Sequence, residues 1–358
     1  MSLPLTALSL FSGCGGDTLG LESAGFKVLA FNEFNKAAIE THKANFPDSV
    51  LIHDADKNIS DITKLPSSKF EPYKDKIGIV FAGFPCQGFS HAGKKKATDP
   101  RNQMFQQFVR VVATVRPRFF IGENVTGLRT MKSGPGEDDP MMLDLIIQAF
   151  REIEYELTYN VLEATDFGVP QKRKRILLVG WDTRVVKSFD ASSYWANVSA
   201  DGAKNPLPKM SSFVRASLNN AYTLKEDEIP EGFTDVAMPV PSTFAPSGTP
   251  HPFITLKAGQ KLMSCTKRDS PIHSEIIDRT KPSKTIICTY DHQPRLLVGL
   301  KNSAGSYIRC LEPDELKQIQ GFPKTFKLCG NLKEQIVQVG NAVPPAFVCS
   351  VAKSLKMM

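Results

Sequence analysis

The feature that most constrains this chain is the alternation, through its first half, of short apolar, β-branched runs with stretches of helical period. A chain patterned in this way buries both faces of a central sheet under crossover helices, which makes it α/β with a doubly wound, mostly parallel sheet. Residues Ala7 to Phe11, Val28 to Asn32, Ser49 to His53, Ile77 to Phe84 and Arg118 to Gly122 read as the first five strands. Leu157 to Glu163 and Ile176 to Trp181 bring the expected sheet to seven strands, ending near Asp182. Between the fourth and fifth, Met104, Phe105, Phe108, Val109 and Val112 recur at helical spacing and predict a helix with one face on the sheet.

The pattern then changes. From Asp201 to Pro252 there are eight prolines, several serines and no clean period, which predicts extended strands and loops rather than long regular elements. At 358 residues the chain exceeds what one core usually spans, so a second, smaller, irregular β-rich domain is expected. Pattern returns at Pro282 to Val298, read as a strand pair, at Pro313 to Gln320, a short helix, and at Ala346 to Lys356, a helix expected to rejoin the large domain. No internal repeat is visible.

Bulk properties exclude more than they assign. No run of about 18 apolar residues is present, and Met1 to Leu10 lacks the charged region and cleavage site of a signal peptide, so an intracellular protein is expected. Seven widely spaced cysteines with no C-x-x-C pair argue against a disulfide framework or a structural zinc site, and no metal is expected. The formal charge of +7 is mild, so clustering matters more: Lys94, Lys95, Lys96 and Arg101 form one basic group and Lys172 to Arg175 another.

Five short segments carry potential chemistry. Phe11-Ser12-Gly13-Cys14-Gly15-Gly16-Asp17 follows the first strand and opens a helix, where glycines let a ligand approach the backbone. Glu33 ends the second strand, where an acidic side chain can hold both hydroxyls of a ribose. The third glycine of the dinucleotide fingerprint is missing, so an adenosyl ligand without a pyrophosphate fits better than a dinucleotide. Gly83-Phe84-Pro85-Cys86-Gln87-Gly88-Phe89-Ser90 ends the fourth strand; a proline-flanked cysteine there is either an exposed nucleophile or a buried structural thiol. Gly122-Glu123-Asn124-Val125 ends the fifth, where partial burial of Glu123 would raise its pKa and make it an acid. In Gln171-Lys172-Arg173-Lys174-Arg175, strand alternation sends Gln171, Arg173 and Arg175 one way and the lysines the other. Gly340-Asn341-Ala342-Val343-Pro344-Pro345 is a Gly/Pro-rich turn offering the Asn341 amide.

Together and in this order, F-x-G-x-G, G-F-P-C-Q-x-F-S, E-N-V, Q-x-R-x-R and G-N-x-V-P-P closely resemble the cytosine-C5 DNA methyltransferase family, over nearly all of the chain outside about Val185 to Asp278. The resemblance implies the fold of S-adenosylmethionine-dependent methyltransferases, with a catalytic domain at 1–184, a target-recognition domain at 185–329 and a C-terminal segment, 330–358, returning to the first. It makes Phe11, Gly13, Cys14, Gly15 and Gly16 the cofactor loop, with Glu33 on the ribose and Phe34 against the adenine. Asp61 and Ile62 resemble the pair at the adenine edge, although Asn58-Ile59 aligns nearly as well, and Pro85, Met104, Asn341 and Ala342 are further cofactor contacts.

The same resemblance implies that Cys86 adds to carbon 6 of a cytosine flipped from double-stranded DNA. Glu123 acts at N3, Arg175 or Arg173 holds the O2 edge, and the methyl passes to carbon 5. Gln87, Ser90, Lys94, Lys95, Lys96, Arg101 and Gln171 become DNA contacts, and the Cys86 loop is expected to close over the base. A monomer is expected, in a restriction-modification system with its endonuclease, as a solitary enzyme, or encoded by a virus. Its place would then be the cytoplasm at the nucleoid, or a eukaryotic nucleus or viral factory. Three other readings compete. A tRNA cytosine-C5 methyltransferase typically carries P-P-C-Q and C-F-T, both missing here; an inactive DNA-binding homologue would not need Cys86, Glu123 and the arginines; and an NAD-dependent oxidoreductase fails on the absent glycine.

Overall fold

The computed structural model describes residues 3–85, 104–134, 136–230, 232–249, 275–291 and 294–358, which form two compact units. The first comprises the described residues up to Phe167, together with Lys174–Asn205 and Val343–Met358. Its centre is a seven-stranded sheet of β1 (Thr6–Leu10), β2 (Lys27–Asn32), β3 (Val50–Leu51), β4 (Ile79–Ala82), β5 (Phe119–Val125), β6 (Tyr155–Glu163) and, beyond the two-residue β7 (Gln171–Lys172) of the other unit, β8 (Lys174–Asp182). The strand order is β3-β2-β1-β4-β5-β8-β6. β1 to β5 run parallel, whereas β8 is antiparallel to both neighbours. All seven expected strands are found, with ends shifted by at most three residues.

Helices α1 (Gly16–Ser23), α2 (Lys36–Asn45), α3 (Met104–Val115) and α4 (Met142–Arg151) cover the sheet. The apolar stripe of α3 buries Phe105, Phe108, Val111, Val112 and Val115. The Phe108 ring meets the rings of Phe120 and Phe150 edge-on at 5.3 and 5.2 Å. Buried aromatic contact of this kind holds helix to strand. β8 approaches so closely that a Cβ at Gly180 would stand 2.1 Å from the Phe120 ring, so this position admits only glycine without displacement.

The return of the chain is built on α5 (Ala191–Gly202), capped by Asp190, and α9 (Pro345–Leu355). Tyr194 Oη donates to the carbonyl of Val351 at 2.9 Å, and Ser350 Oγ to Asp201 at 2.8 Å. These contacts place α5 in the first unit. By compactness the division falls at 205/206 and 342/343, with Gly168–Arg173 in the second unit, whereas the resemblance implied bounds at 184/185 and 329/330.

The second unit has its own core around Leu297, Leu300, Ile308, Leu316 and Val339. Its sheet joins β9 (Tyr222–Leu224), β10 (Met238–Pro239), β11 (Glu275–Ile276), β13 (Leu296–Asn302) and β14 (Gly305–Cys310), while β12 (Ser283–Lys284) pairs with β7. The strand pair expected within Pro282 to Val298 is thus corrected: β13 forms its hairpin with β14. Asn302 Oδ1 accepts from the N–H groups of Ala304 and Gly305 at 2.9 and 3.1 Å, an Asx turn that closes the hairpin. Helices α6 (Phe233–Val236), α7 (Pro313–Ile319) and α8 (Leu332–Asn341) complete this unit. Among the described residues no helix is long and apolar enough to cross a membrane.

Candidate active site

Parallel strands present their carboxyl ends along one edge of the sheet, and the loops there are where open α/β sheets hold ligands. The loop after β1 turns by left-handed backbone at Phe11 (φ 53°), Gly13 (φ 54°) and Gly15 (φ 93°). A Cβ at Gly13 would meet nothing within 4 Å, so the backbone there faces open space, whereas one at Gly15 would stand 2.6 Å from the Phe46 ring. Gly13 leaves room for a ligand and Gly15 makes room for the protein. Cys14 is fully buried and its thiol is pushed up to about 12, by burial first and then by Asp17. Only its backbone can face a ligand.

Glu33 follows β2 and ties the loop down. Its Oε2 accepts from the Gly13 N–H at 2.9 Å, and its Oε1 from the N–H groups of Phe34 and Asn35, both at 2.8 Å. Burial raises its pKa against these three bonds. A carboxylate offers about four acceptor positions. Three are taken in this structure by backbone N–H groups, and one is left at the acid expected to hold the ribose. Beside it the Phe34 ring is 70% exposed, an unusual state for a phenylalanine at a strand end. An open backbone cradle, a carboxylate with one position left and a bare aromatic face fit an adenosyl group.

Asn32 was not singled out from the sequence. Its Nδ2 donates to the carbonyls of Ile52 at 2.9 Å and Ser60 at 3.0 Å, which brings Ser60-Asp61-Ile62 to the end of β2. Asn58-Ile59 instead forms a tight turn in which Ile59 pairs with Asp54. Asp61 spends its carboxylate on the N–H and Oγ of Thr63 at 3.0 and 2.7 Å, and Ile62 is buried.

At the end of β4, Gly83 and Pro85 are half-buried and Phe84 is buried. Cys86, Gln87, Ser90, Lys94, Lys95, Lys96 and Arg101 lie outside the described residues. What leads into them is visible. Asn124 Nδ2 donates to the Phe84 carbonyl at 3.0 Å and its Oδ1 accepts from the Val125 N–H at 2.8 Å, so β5 fixes the backbone two residues before Cys86. Glu123, one residue earlier, pairs with Arg175 Nε at 2.9 Å. Its Oε2 is turned toward the end of β4, where a Cβ at Gly83 would lie 3.7 Å away. An arginine cation thus holds the carboxyl group of Glu123. Met104, half-buried, begins α3.

The Gln171–Arg175 run shows the expected alternation of burial, but its members part company. Gln171, expected at the DNA, is fully buried in the second unit, donating to Gln320 and accepting from the Ile286 N–H at 2.9 Å. Arg173, 2% exposed, donates to the carbonyls of Ile286 and Gly340, both at 3.1 Å, inside the second unit. Arg175 pairs with Glu123. Asn341, exposed, and Ala342, buried, end α8 in the second unit.

Comparison with known proteins gives the context for this geometry. The family described as C-5 cytosine-specific DNA methylase matches residues 5–357. Among characterised proteins, the Type II methyltransferase M1.HphI of Haemophilus parahaemolyticus is 31% identical over 99% of this chain and 88% of its own length. The Type II methyltransferase M.NgoPII of Neisseria gonorrhoeae is 28% identical over 99% and 96%. Among solved structures, the methyltransferase EhMeth of Entamoeba histolytica superposes with a TM-score of 0.64 at 15% identity, covering 98% of this chain and 97% of that one. The Dnmt2 methyltransferase of S. pombe superposes with a TM-score of 0.65 at 15% identity over 98% of both. The two structures share the fold.

Proposed function

The chain belongs to the C-5 cytosine-specific DNA methylase family, and from that premise we propose that it transfers the methyl group of S-adenosylmethionine to carbon 5 of a cytosine flipped out of double-stranded DNA, with Cys86 as nucleophile. The observation that carries this reading is the placement of Glu123 at the end of β5, held by Arg175 and turned toward the Gly83–Pro85 backbone that runs into Cys86.

Carbon 5 belongs to an aromatic ring and is a poor nucleophile. Addition of the Cys86 thiolate to carbon 6 breaks the conjugation and makes carbon 5 reactive, a covalent strategy that needs an activated thiol. As the thiolate adds, negative charge builds on the ring, and Glu123 in its protonated form donates a proton to N3 while Arg175 orients the carboxyl group. When bound, S-adenosylmethionine supplies an electrophilic methyl carbon to carbon 5. Loss of the carbon 5 proton to a base then expels Cys86. The loop Phe11–Gly16 with Glu33, Phe34 and the Ser60–Ile62 segment holds the adenosyl group, and Pro85, Met104, Asn341 and Ala342 are proposed as its remaining neighbours.

Flipping the base costs a few kcal/mol, and Gln87, Ser90, Lys94 to Lys96 and Arg101 are proposed to meet the DNA and offset that cost, so affinity falls with salt. The second unit is proposed as the target-recognition domain, and a partner endonuclease as in a Type II system. Duplex oligonucleotides carrying 5-fluorocytosine at the target test the mechanism. Given the methyl donor, they should become covalently trapped on an enzyme competent in tritiated-methyl transfer; transfer without trapping would overturn it.

A further inference from the structure

Beneath the glycine loop lies a buried chain of polar groups that the proposed mechanism does not use. Asp17 occupies the first turn of α1 and is 3% exposed. Its Oδ2 accepts from Ser9 Oγ on β1, and its Oδ1 from Ser12 Oγ in the loop at 3.4 Å. Ser12 Oγ stands 3.5 Å from Thr18 Oγ1, which is 3.0 Å from His42 Nε2 on α2. The His42 ring is stacked on Phe31 at 3.6 Å, and its Nδ1 has no hydrogen-bond partner among the described residues. The partners of Asp17 are hydroxyls and first-turn N–H groups rather than a cation. A buried carboxyl costs free energy unless its bonds repay it, and here the bonds join strand, loop and helix at the one place where the backbone turns left-handed three times.

We infer that Asp17 is a positioning residue for the donor-binding loop: by holding Ser12 to Ser9 it sets the path of Phe11–Gly15, and affinity for the adenosyl donor follows its charge. The inference rests on the reading of that loop as the donor site. Ionised, the carboxylate accepts strongly from both hydroxyls; protonated, it is a weaker acceptor and carries a proton of its own that competes for the same partners, so its hold on Ser9 and Ser12 loosens. Burial pushes Asp17 up to about 7, against the lowering effects of Ser9 and the first-turn N–H groups. The change of state therefore falls near neutral pH.

Of the other groups facing the network, His42 and Cys14 lie well away from that range. His42 is pushed down to about 3 by burial and Cys14 up to about 12. Glu33, linked through Gly13, is raised by burial. Helix α9, which crosses α1 at Gly20, contributes Cys349, raised by burial, and Lys356, whose ammonium sits on the Ala24 carbonyl at the far end of the helix.

Calorimetric titration of the full chain with S-adenosylhomocysteine between about pH 5.5 and 8.5 tests the inference, on the wild type, Asp17→Asn and Ser9→Ala. The wild type should bind more tightly than Asp17→Asn by at least about fivefold at the alkaline end, with the ratio falling toward one at the acid end. Titration of the ligand and of Glu33 is common to both proteins and cancels in that ratio. Ser9→Ala removes a bond to the carboxylate and should move the wild-type midpoint to higher pH. In turnover, Asp17→Asn should raise KM for the donor and leave kcat unchanged. A ratio independent of pH, or an unmoved midpoint in Ser9→Ala, would overturn the inference. If the folded wild type binds no S-adenosylhomocysteine at any pH, it is the assignment of the donor site that fails.

Discussion

Glu123 Oε1 and Arg175 Nε form an ion pair at 2.9 Å across the antiparallel pair of β5 and β8. Arg175 stands opposite Val125, two residues along from Glu123, so the two side chains are diagonal neighbours on one face of the sheet. With side chains 11% and 16% exposed, the pair is sheltered enough for direction to matter more than raw charge.

Removing either partner should therefore hurt the chemistry more than the binding. Glu123→Ala is expected to slow single-turnover methylation by about 100-fold or more while the DNA Kd changes little. Arg175→Ala should follow it, and the double variant should be no slower than the worse single one. Additive losses would mean the two residues act independently.

Cys86→Ala should abolish methyl transfer and leave S-adenosylhomocysteine binding near normal, because the thiol is assigned to the cytosine and not to the donor. Residual turnover in this variant, measured with tritiated donor, would remove the nucleophile from the mechanism.

Phe34→Ala separates ligand contact from folding. The ring is 70% exposed, so its loss should change stability by less than about 0.5 kcal/mol. Loss of stacking should weaken donor binding by roughly three- to tenfold, as for about 0.5–1.5 kcal/mol of aromatic contact. An unchanged donor Kd would place the adenine elsewhere.

Arg173→Ala should behave oppositely to Arg175→Ala. It strips the carbonyls of Ile286 and Gly340 of a charged donor inside the second unit, at a cost of about 3 kcal/mol. The denaturation midpoint should fall, with the surviving folded protein retaining most of its kcat. A large kcat defect at full stability would return Arg173 to the chemistry.

Stability should depend on pH through two buried groups acting in opposite senses. The folded pKa of Asp17, about 7, lies above its ordinary 3.8. The native state thus keeps a proton that the unfolded chain has released, and this contribution, present below about 3.8, is lost as pH rises through about 7. His42, depressed from 6.5 to about 3, contributes stability that is present above about 6.5 and lost as pH falls toward 3. Asp17→Asn should therefore gain on the wild type in urea midpoint as pH is raised from acid to neutral, even as it loses donor affinity. Parallel midpoint curves would show that folding does not raise the pKa of Asp17.

By itself the amino-acid order determined the strands of the large sheet and the residues at their carboxyl ends. Apolar period and glycine placement are local signals, so the loop at Phe11–Gly16, the acid at Glu33 and the run into Pro85 could all be read along the chain. The helix at Met104–Val115 was equally legible from its stripe. Less local features were not. Asn32 and Asn124 reveal their roles only through carbonyls 20 to 40 residues away, and Asp17 only through the hydroxyls packed against it.

The tertiary structure alone decided the fate of Gln171, Arg173 and Arg175, which alternation treats alike. A hydrogen bond from the Arg173 N–H to the Gln171 carbonyl at 2.9 Å interrupts the extended chain. Before it, β7 pairs with Ser283–Lys284; after it, β8 pairs with β5. Side-chain alternation is a property of one strand, whereas the partner across the hydrogen bonds comes from a distant part of the chain, and that partner is what sends two of these residues into a core and the third to Glu123.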